Sequence, residues 1–255
     1  MKQVLTIAGS RAELVRLAPI IRTLRDDYFG VVTTRWIHAA DQPDQILSAG
    51  ALFDLSPDGE LPELRPDMPP VDRSWALSKG FAQEIDGSRP DLLIIQGDSS
   101  TAVLAAQQAF IRRIPIVHVQ GPLFTANGGA LGRDAANARM LSALSAFHCV
   151  TNSSDATALR SDGFPFYEIG ITGDTVVDAV QWLSRRRHAG NGELPEWAHS
   201  VGDGQAAKRI GRLIANWSRN RILTPRAFEP FRGDCAVTRA AQGVIRTSQE
   251  HFIDC

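Results

Sequence analysis

Residues 92–100 read Leu-Leu-Ile-Ile-Gln-Gly-Asp-Ser-Ser, and they decide the fold. The run Leu92–Ile95 has no polar alternation, which is typical of a strand covered on both faces of a parallel sheet. Thr101–Phe110 then has helical spacing, so the residues between are predicted to form a turn from strand to helix. Ligands of such sheets bind beyond the carboxyl ends of strands, which makes Asp98, followed by Ser99, the first candidate for chemistry. An ordinary helix N-cap is the alternative role for Asp98.

The N-terminus repeats this pattern of strand, glycine turn and helix. Val4–Ala8 is rich in strand-forming residues, and apolar residues recur at helical spacing after the turn Gly9-Ser10-Arg11. Backbone N–H groups and a guanidinium at the edge of a sheet would suit an anion, with Arg16 about one helical turn further on. A tight connection with two solvated arginines is the other interpretation, and this stretch alone does not separate them.

The same alternation continues to residue 182 and predicts an α/β fold with a single Rossmann-like, doubly wound parallel sheet. A proline-rich segment, residues 56–72, is predicted to be a long surface loop. The strands are predicted at residues 30–38, 92–96, 114–119, 146–150 and 166–169, and the helices at 43–55, 74–85, 134–144, 153–161 and 173–182.

Charge and cysteine content narrow the class of protein. The chain has 27 Lys and Arg against 28 Asp and Glu, a formal net charge of -1, so no basic field suggests nucleic acid or an anionic membrane as partner. Three widely spaced cysteines (Cys149, Cys235 and Cys255) form neither a metal-ligand pattern nor a disulfide framework. No apolar run reaches the roughly 20 residues of a membrane span. We expect a cytoplasmic, soluble protein without a metal site.

Several segments match one family in the same order along the chain. They are LTIAGSRAELVRLAPI, DQIL, PDLLIIQGDSS, RIPIVHVQG, DAANAR, ITGDTVVDAV and GDGQAAKRI. The chain therefore resembles the non-hydrolysing UDP-N-acetylglucosamine 2-epimerases. The resemblance implies one half of a glycosyltransferase-B fold, in which two Rossmann-like domains face each other, and it implies no cofactor.

The resemblance also implies a domain organisation. In the family, a Gly-Asp-Gly-x-Ala helix follows the complete second domain and crosses back onto the first. Here Gly202–Ala206 follows Trp182 after a short polar linker that cannot contain a Rossmann domain. The implied units are an N-terminal domain (1–183), a linker in place of the second domain (184–201), a returning helix (202–223) and a tail of unknown role (224–255).

Site residues carry over only where positions match. Gln120 stands where the family has a glutamate, Asp134 is one methylene shorter than the family residue, and Ala138 replaces an arginine. The candidate catalytic residues are Asp98, Gln120 and Asp134. The candidate ligand-binding residues are Gly9, Ser10, Arg11, Arg16, Ser99 and Asn137.

The family reaction eliminates UDP from UDP-GlcNAc and adds it back with inversion at C2, which needs groups that transfer protons. An amide at position 120 cannot take a proton near neutral pH. The sequence therefore predicts a truncated epimerase-like protein that binds a UDP-sugar or another small anionic ligand, with impaired or altered chemistry. The alternative is a non-catalytic scaffold that pairs with itself as a homodimer or with a partner that supplies the missing domain. An unrelated Rossmann-like binding module is disfavoured by the ordered matches.

Overall fold

The computed structural model describes residues 1–39, 43–61, 64, 67–119, 133–186, 198–199 and 201–232. Seven strands and eight α-helices alternate through them. The strands are β1 (Lys2–Ala8), β2 (Val32–His38), β3 (Gly59–Glu60), β4 (Leu92–Gln96), β5 (Ile116–Val119), β6 (Phe147–Val150) and β7 (Ile169–Ile171). The helices are α1 (Arg11–Asp26), α2 (Pro43–Leu52), α3 (Pro70–Ser88), α4 (Ser100–Ile111), α5 (Arg133–Leu144), α6 (Ser153–Ser161), α7 (Thr175–Arg186) and α8 (Ala206–Asn220).

The seven strands form one sheet in the order β3-β2-β1-β4-β5-β6-β7, and every neighbouring pair is parallel. This confirms the predicted α/β class and the doubly wound parallel sheet. The chain winds outward from β1 in one direction as far as β3 and then in the other direction from β4. The strand order therefore reverses between β1 and β4, which is where the crevice of such a sheet opens.

Helices cover both faces of the sheet, so its central strands are largely apolar on both sides. One cluster of buried side chains joins the sheet to α1, α2, α7 and α8, and a second joins its other face to α3, α4 and α5. Leu92 and Ile94 belong to the first cluster, whereas Leu93 and Ile95 belong to the second. This alternation explains why Leu92–Ile95 has no polar residue at either period-2 position.

Several predicted boundaries were wrong, each for a local reason. The segment predicted as loop 56–72 contains the short strand β3, and α3 begins at Pro70 rather than Ser74. Proline suits the first turn of a helix because its missing N–H has no helical partner there, so Pro70 is compatible with the first position of α3. Helix α2 ends at Leu52 rather than Leu55, because the chain turns through Asp54 with φ of 53°.

Helix α8 packs on the same face of the sheet as α1 and α7. Its residues Ile210, Leu213, Ile214 and Trp217 are at most 3% exposed and lie in one cluster with core residues of α1. The following segment also covers the sheet, since Phe231 N donates to the carbonyl of Ile171 at the end of β7 (2.9 Å). Helix α8 is therefore part of the core of this domain.

None of the helices in the described part of the chain has the length and apolar character needed to cross a lipid bilayer.

Candidate functional site

Two turns meet at the point where the strand order reverses. The turn after β1 contains Gly9 and Ser10, and the turn after β4 contains Gly97, Asp98 and Ser99. They lie in contact: a Cβ added at Gly9 would be 2.7 Å from Thr101 Cβ, closer than real Cβ atoms approach. Glycine at position 9 is therefore what allows the first turn to lie against the start of α4.

Both turns end in a serine that caps a helix. The Ser10 hydroxyl accepts from Glu13 N (3.2 Å) at the start of α1, and the Ser99 hydroxyl accepts from Ala102 N (3.1 Å) at the start of α4. The cap of α4 is thus Ser99 rather than Asp98. Because Asp98 does not cap the helix, its carboxylate is left to face solvent at the edge of the sheet.

The backbone of the β4 turn is held by side chains from neighbouring elements. His118 is fully buried, and its Nε2–H donates to Gly97 O at 2.6 Å. Burial lowers the pKa of His118 to about 4, so the ring is neutral near neutral pH and keeps one N–H for this bond. Asn137 of α5 donates through Nδ2 to Asp98 O (2.9 Å) and to Ser100 Oγ (3.3 Å). These contacts hold the backbone of Gly97 and Asp98 in place at the end of β4.

The turns bring together three carboxyl groups. Partial desolvation and then the nearby charge of Asp134, in the first turn of α5, raise the pKa of Asp98 above its ordinary value. Glu13 is 7% exposed, and its burial, with a further contribution from the charge of Asp98, raises its pKa as well. Carboxyl groups whose pKa values move toward neutrality are suited to proton transfer.

Glu13 is the site residue that the sequence reasoning missed. Its Oε2 accepts from Gly9 N at 2.6 Å, and its carboxyl also hydrogen-bonds the side chain of Ser99. The pattern Ser10-x-x-Glu13 is a capping-box signature and would have drawn attention to it. A capping box alone predicts a local bond within α1, however, and not a bond across the crevice to the β4 turn.

The two arginines that were predicted to bind a ligand differ in their exposure and in their contacts. Arg11 is exposed at the first residue of α1. Arg16 lies further along the helix, with its Nε 3.8 Å from Asp174 Oδ1 at the start of α7. An anion that reached Arg16 would therefore compete with the carboxylate of Asp174.

The remaining predicted site residues divide into two sets. Gly9, Ser10, Asp98, Ser99, Asp134 and Asn137 surround the two turns, as the preceding contacts show. Gln120 and the glycine-rich loop at 126–130 lie outside the described residues. Within the described ranges, no group of three or more His, Cys, Asp or Glu side chains is arranged to hold a metal ion.

These features define a class of protein: a single Rossmann-like domain, one half of a glycosyltransferase-B fold, with polar groups gathered at its switch point. The family model described as UDP-N-acetylglucosamine 2-epimerase matches residues 38–200, which is more than half of the chain. The chain belongs to the UDP-N-acetylglucosamine 2-epimerase family.

Relatives agree with this assignment. The chain is 28% identical over 189 residues to a probable UDP-N-acetylglucosamine 2-epimerase of Ralstonia nicotianae, a match that covers 73% of this chain and 49% of that protein. The UDP-GlcNAc 2-epimerase of Neisseria meningitidis, crystallised with UDP-GlcNAc, superposes with a TM-score of 0.67 at 26% identity, covering 72% of this chain and 50% of that one. The chain thus spans about half the length of the relatives it matches.

A third comparison concerns the fold. The Methanocaldococcus jannaschii UDP-GlcNAc 2-epimerase, solved in complex with UDP-GlcNAc and UDP, superposes with a TM-score of 0.66 at 19% identity. This match covers 75% of the present chain and 51% of the archaeal one. The likeness again extends over about half of the larger protein.

Proposed function

We propose that this chain binds a nucleotide sugar of the UDP-GlcNAc type, or a related anionic ligand, at the carboxyl edge between β1 and β4, with impaired or altered epimerase chemistry. The observation that carries the proposal is the meeting of Glu13, Asp98 and Asp134 beside the N-termini of α1 and α4. Family membership makes a UDP-sugar the first ligand to test.

The two kinds of group at this edge suit the two ends of such a ligand. Helix N-termini and guanidinium groups favour phosphate, which assigns the diphosphate to the side of α1 that carries Arg11 and Arg16. The carboxyl groups of Asp98 and Asp134 would then face the sugar, where a proton must be removed from carbon. Gly9, Ser10 and Ser99 would line the floor between them. Asn137 would act by holding the Asp98 backbone.

Two features support reduced chemistry. An amide at Gln120 offers no proton-accepting group near neutral pH, and loss of such a group typically lowers a rate by about 10²- to 10⁴-fold. Residues 187–205, which separate α7 from α8, are fewer than the roughly 50 residues of a small domain. We therefore propose that 184–201 is a linker in place of a second domain, and that 202–223 is the family's returning helix.

Thermal unfolding with added UDP and UDP-GlcNAc tests ligand binding. A ligand that binds only the folded state at 100 times its dissociation constant stabilises that state by about 2.7 kcal/mol, so the melting temperature should rise with concentration. Uridine at the same concentration is the control, because it keeps the nucleoside of UDP but lacks the diphosphate. Unchanged melting with both UDP ligands at millimolar concentration would reject this function.

Turnover is tested separately by proton NMR of UDP-GlcNAc incubated with the protein in D₂O. We expect solvent deuterium at C2 and the 2-epimer to appear slowly or not at all. Epimerisation at the rate of a full-length relative measured in parallel would contradict the proposed loss of chemistry.

A second candidate rests on the chain's span of about half of its relatives. It is a non-catalytic subunit that forms a homodimer or pairs with a separate nucleotide-binding domain. Light scattering distinguishes these: a mass of twice 27.8 kDa favours the homodimer, and a complex with the separately expressed second domain of a relative favours a split protein. If the protein is a strict monomer and does not bind the separately expressed second domain, this candidate is rejected.

We also propose a cytoplasmic location, which suits the free, buried thiol of Cys149.

A further inference from the structure

Glu13 connects the two turns of the site physically. It sits on α1, yet its carboxyl reaches back to Gly9 N (2.6 Å) after β1 and across to the side chain of Ser99 after β4. Ser99 in turn holds the first turn of α4 through Ala102 N. One buried carboxyl is therefore bonded to both sides of the switch point.

This position differs from that of an ordinary capping-box glutamate. Such a residue bonds the backbone of its own cap, as Glu13 does at Ser10, and the differences lie in its burial and its further contacts. Glu13 is 7% exposed and lies close enough to Asp98 for the two charges to repel. Asp98 itself is coupled to Asp134. The three acids form a chain that runs from the buried interior to the exposed edge.

The charged groups around Glu13 do not offset this repulsion. On its own helix, Arg11 is exposed to solvent and Arg16 is paired with Asp174 of α7. From the β4 turn it faces Asp98, and beyond that residue lies Asp134 of α5. The bonds from Gly9 N, Ser99 and the Ser10 backbone favour the ionised form of Glu13, but they are outweighed by burial, which makes the largest contribution to its pKa.

We propose that Glu13 is a further acid of this site, a positioning residue that joins the two turns and shares the site's protons with Asp98. This inference rests on the proposed function only in what it says about the effect of a ligand. When an anionic ligand adds negative charge beside the three acids, a proton should be taken up, and Glu13, the most buried of them, should hold it. The chain would thereby keep a titratable carboxyl that position 120 no longer provides.

The first test follows Glu13 itself by NMR of carboxyl carbons in the free protein. The Glu13 signal should titrate above the ordinary value of 4.5, and Asp98→Asn should lower its midpoint, since a neighbouring negative charge is removed. Asp178→Asn is the matched control: it removes another buried carboxylate at a helix N-terminus, one that is coupled to Asp203 instead. It should leave the Glu13 midpoint unchanged.

The second test measures protons taken up when UDP binds, by calorimetry at about pH 6 in two buffers of different ionisation enthalpy. The wild type should take up protons, and Glu13→Gln should take up fewer. A Glu13 midpoint at its ordinary value, or a midpoint that Asp98→Asn does not change, would overturn the inference. UDP binding without proton uptake would also overturn it. If UDP does not bind, the proposed function fails, and the NMR titration alone decides the role of Glu13.

Discussion

Two helix N-termini at the carboxyl edge of this sheet each have an aspartate beside them, but only one of the two aspartates bonds the N–H groups of its helix end. At the start of α8, the Asp178 carboxylate accepts from Ala206 N (3.2 Å) and Ala207 N (2.9 Å), and Arg209 bonds Asp203 with both terminal nitrogens. At the start of α4, Ser99 caps the helix, and the neighbouring Asp98 remains exposed. Where a carboxylate of the protein accepts from the free N–H groups of a helix end, as Asp178 does, the contact stabilises the fold. At the helix end capped by a hydroxyl, the neighbouring carboxylate remains exposed, and this is where we propose that a ligand binds.

The largest predicted effect concerns the packing of α8. Trp217→Ala should lower the free energy of unfolding by about 3–5 kcal/mol, because a ring that is 3% exposed leaves a cavity in the core. Urea unfolding followed by circular dichroism measures it. Ile222→Ala, just beyond the same helix and 60% exposed, is the control and should stay within about 0.5 kcal/mol. A loss below about 1 kcal/mol for Trp217→Ala would mean that α8 is not part of the core.

The second effect is the pH dependence that Asp178 contributes. Burial raises its pKa from 3.8 to about 7 in the folded protein, so the folded state binds this proton more tightly than the unfolded state. The contribution is fully present below about pH 4 and is lost as the pH rises through about 7, with an upper bound of about 4 kcal/mol.

Urea unfolding of the wild type and of Asp178→Asn at several pH values isolates this contribution, because the other carboxyl groups are common to both proteins. The stability of the wild type relative to the variant should fall between about pH 4 and pH 7. A constant difference would show that the two N–H bonds fully compensate the burial, and a difference that grows with pH would reverse the assignment.

A third prediction concerns Arg209, which ties α8 to its surroundings. Its guanidinium bonds Asp203, Thr172 O (3.0 Å) and Glu229 O (3.0 Å), so Arg209→Ala should cost about 2 kcal/mol. Thermal unfolding compares it with Arg226→Ala, which changes an exposed arginine in the same segment. Equal melting temperatures for the two variants would argue against this anchor.

The smallest effect is expected on the ligand side. Ser10→Ala removes the cap of α1 and should cost about 1 kcal/mol, the usual value for an N-cap. Ser10→Gly is the matched comparison, since glycine at this position typically costs only a few tenths of a kcal/mol. Urea unfolding of both variants measures the difference. A loss above about 3 kcal/mol would mean that this turn is as important for the fold as the start of α8.

The sequence predicted the sheet and its crevice because both depend on local patterns. The apolar run Leu92–Ile95 ends in glycine, and this is enough to predict a buried strand and a turn at the carboxyl edge. The start of α3 was missed because proline excludes the interior of a helix but favours its first turn, so the same letter at Pro70 supports either interpretation.

The buried polar contacts of the site could not be predicted from spacing. His118 is a buried histidine of β5 whose ring donates to Gly97 O, but the acceptor lies in the turn after a different strand, β4. Glu13 is a residue of α1, and only the pairing of β1 with β4 brings it to Ser99. Contacts between elements that are distant in sequence depend on the strand order, which no single motif contains.

The most direct test of the central claim is a UDP titration followed by backbone amide NMR. We expect UDP to shift the signals of Gly9, Ser10 and Ser99 in a saturable way and to leave those of Ala206 and Ala207, whose N–H groups already donate to Asp178, unchanged. Shifts confined to the start of α8, or no shift at either helix end at millimolar UDP, would contradict it.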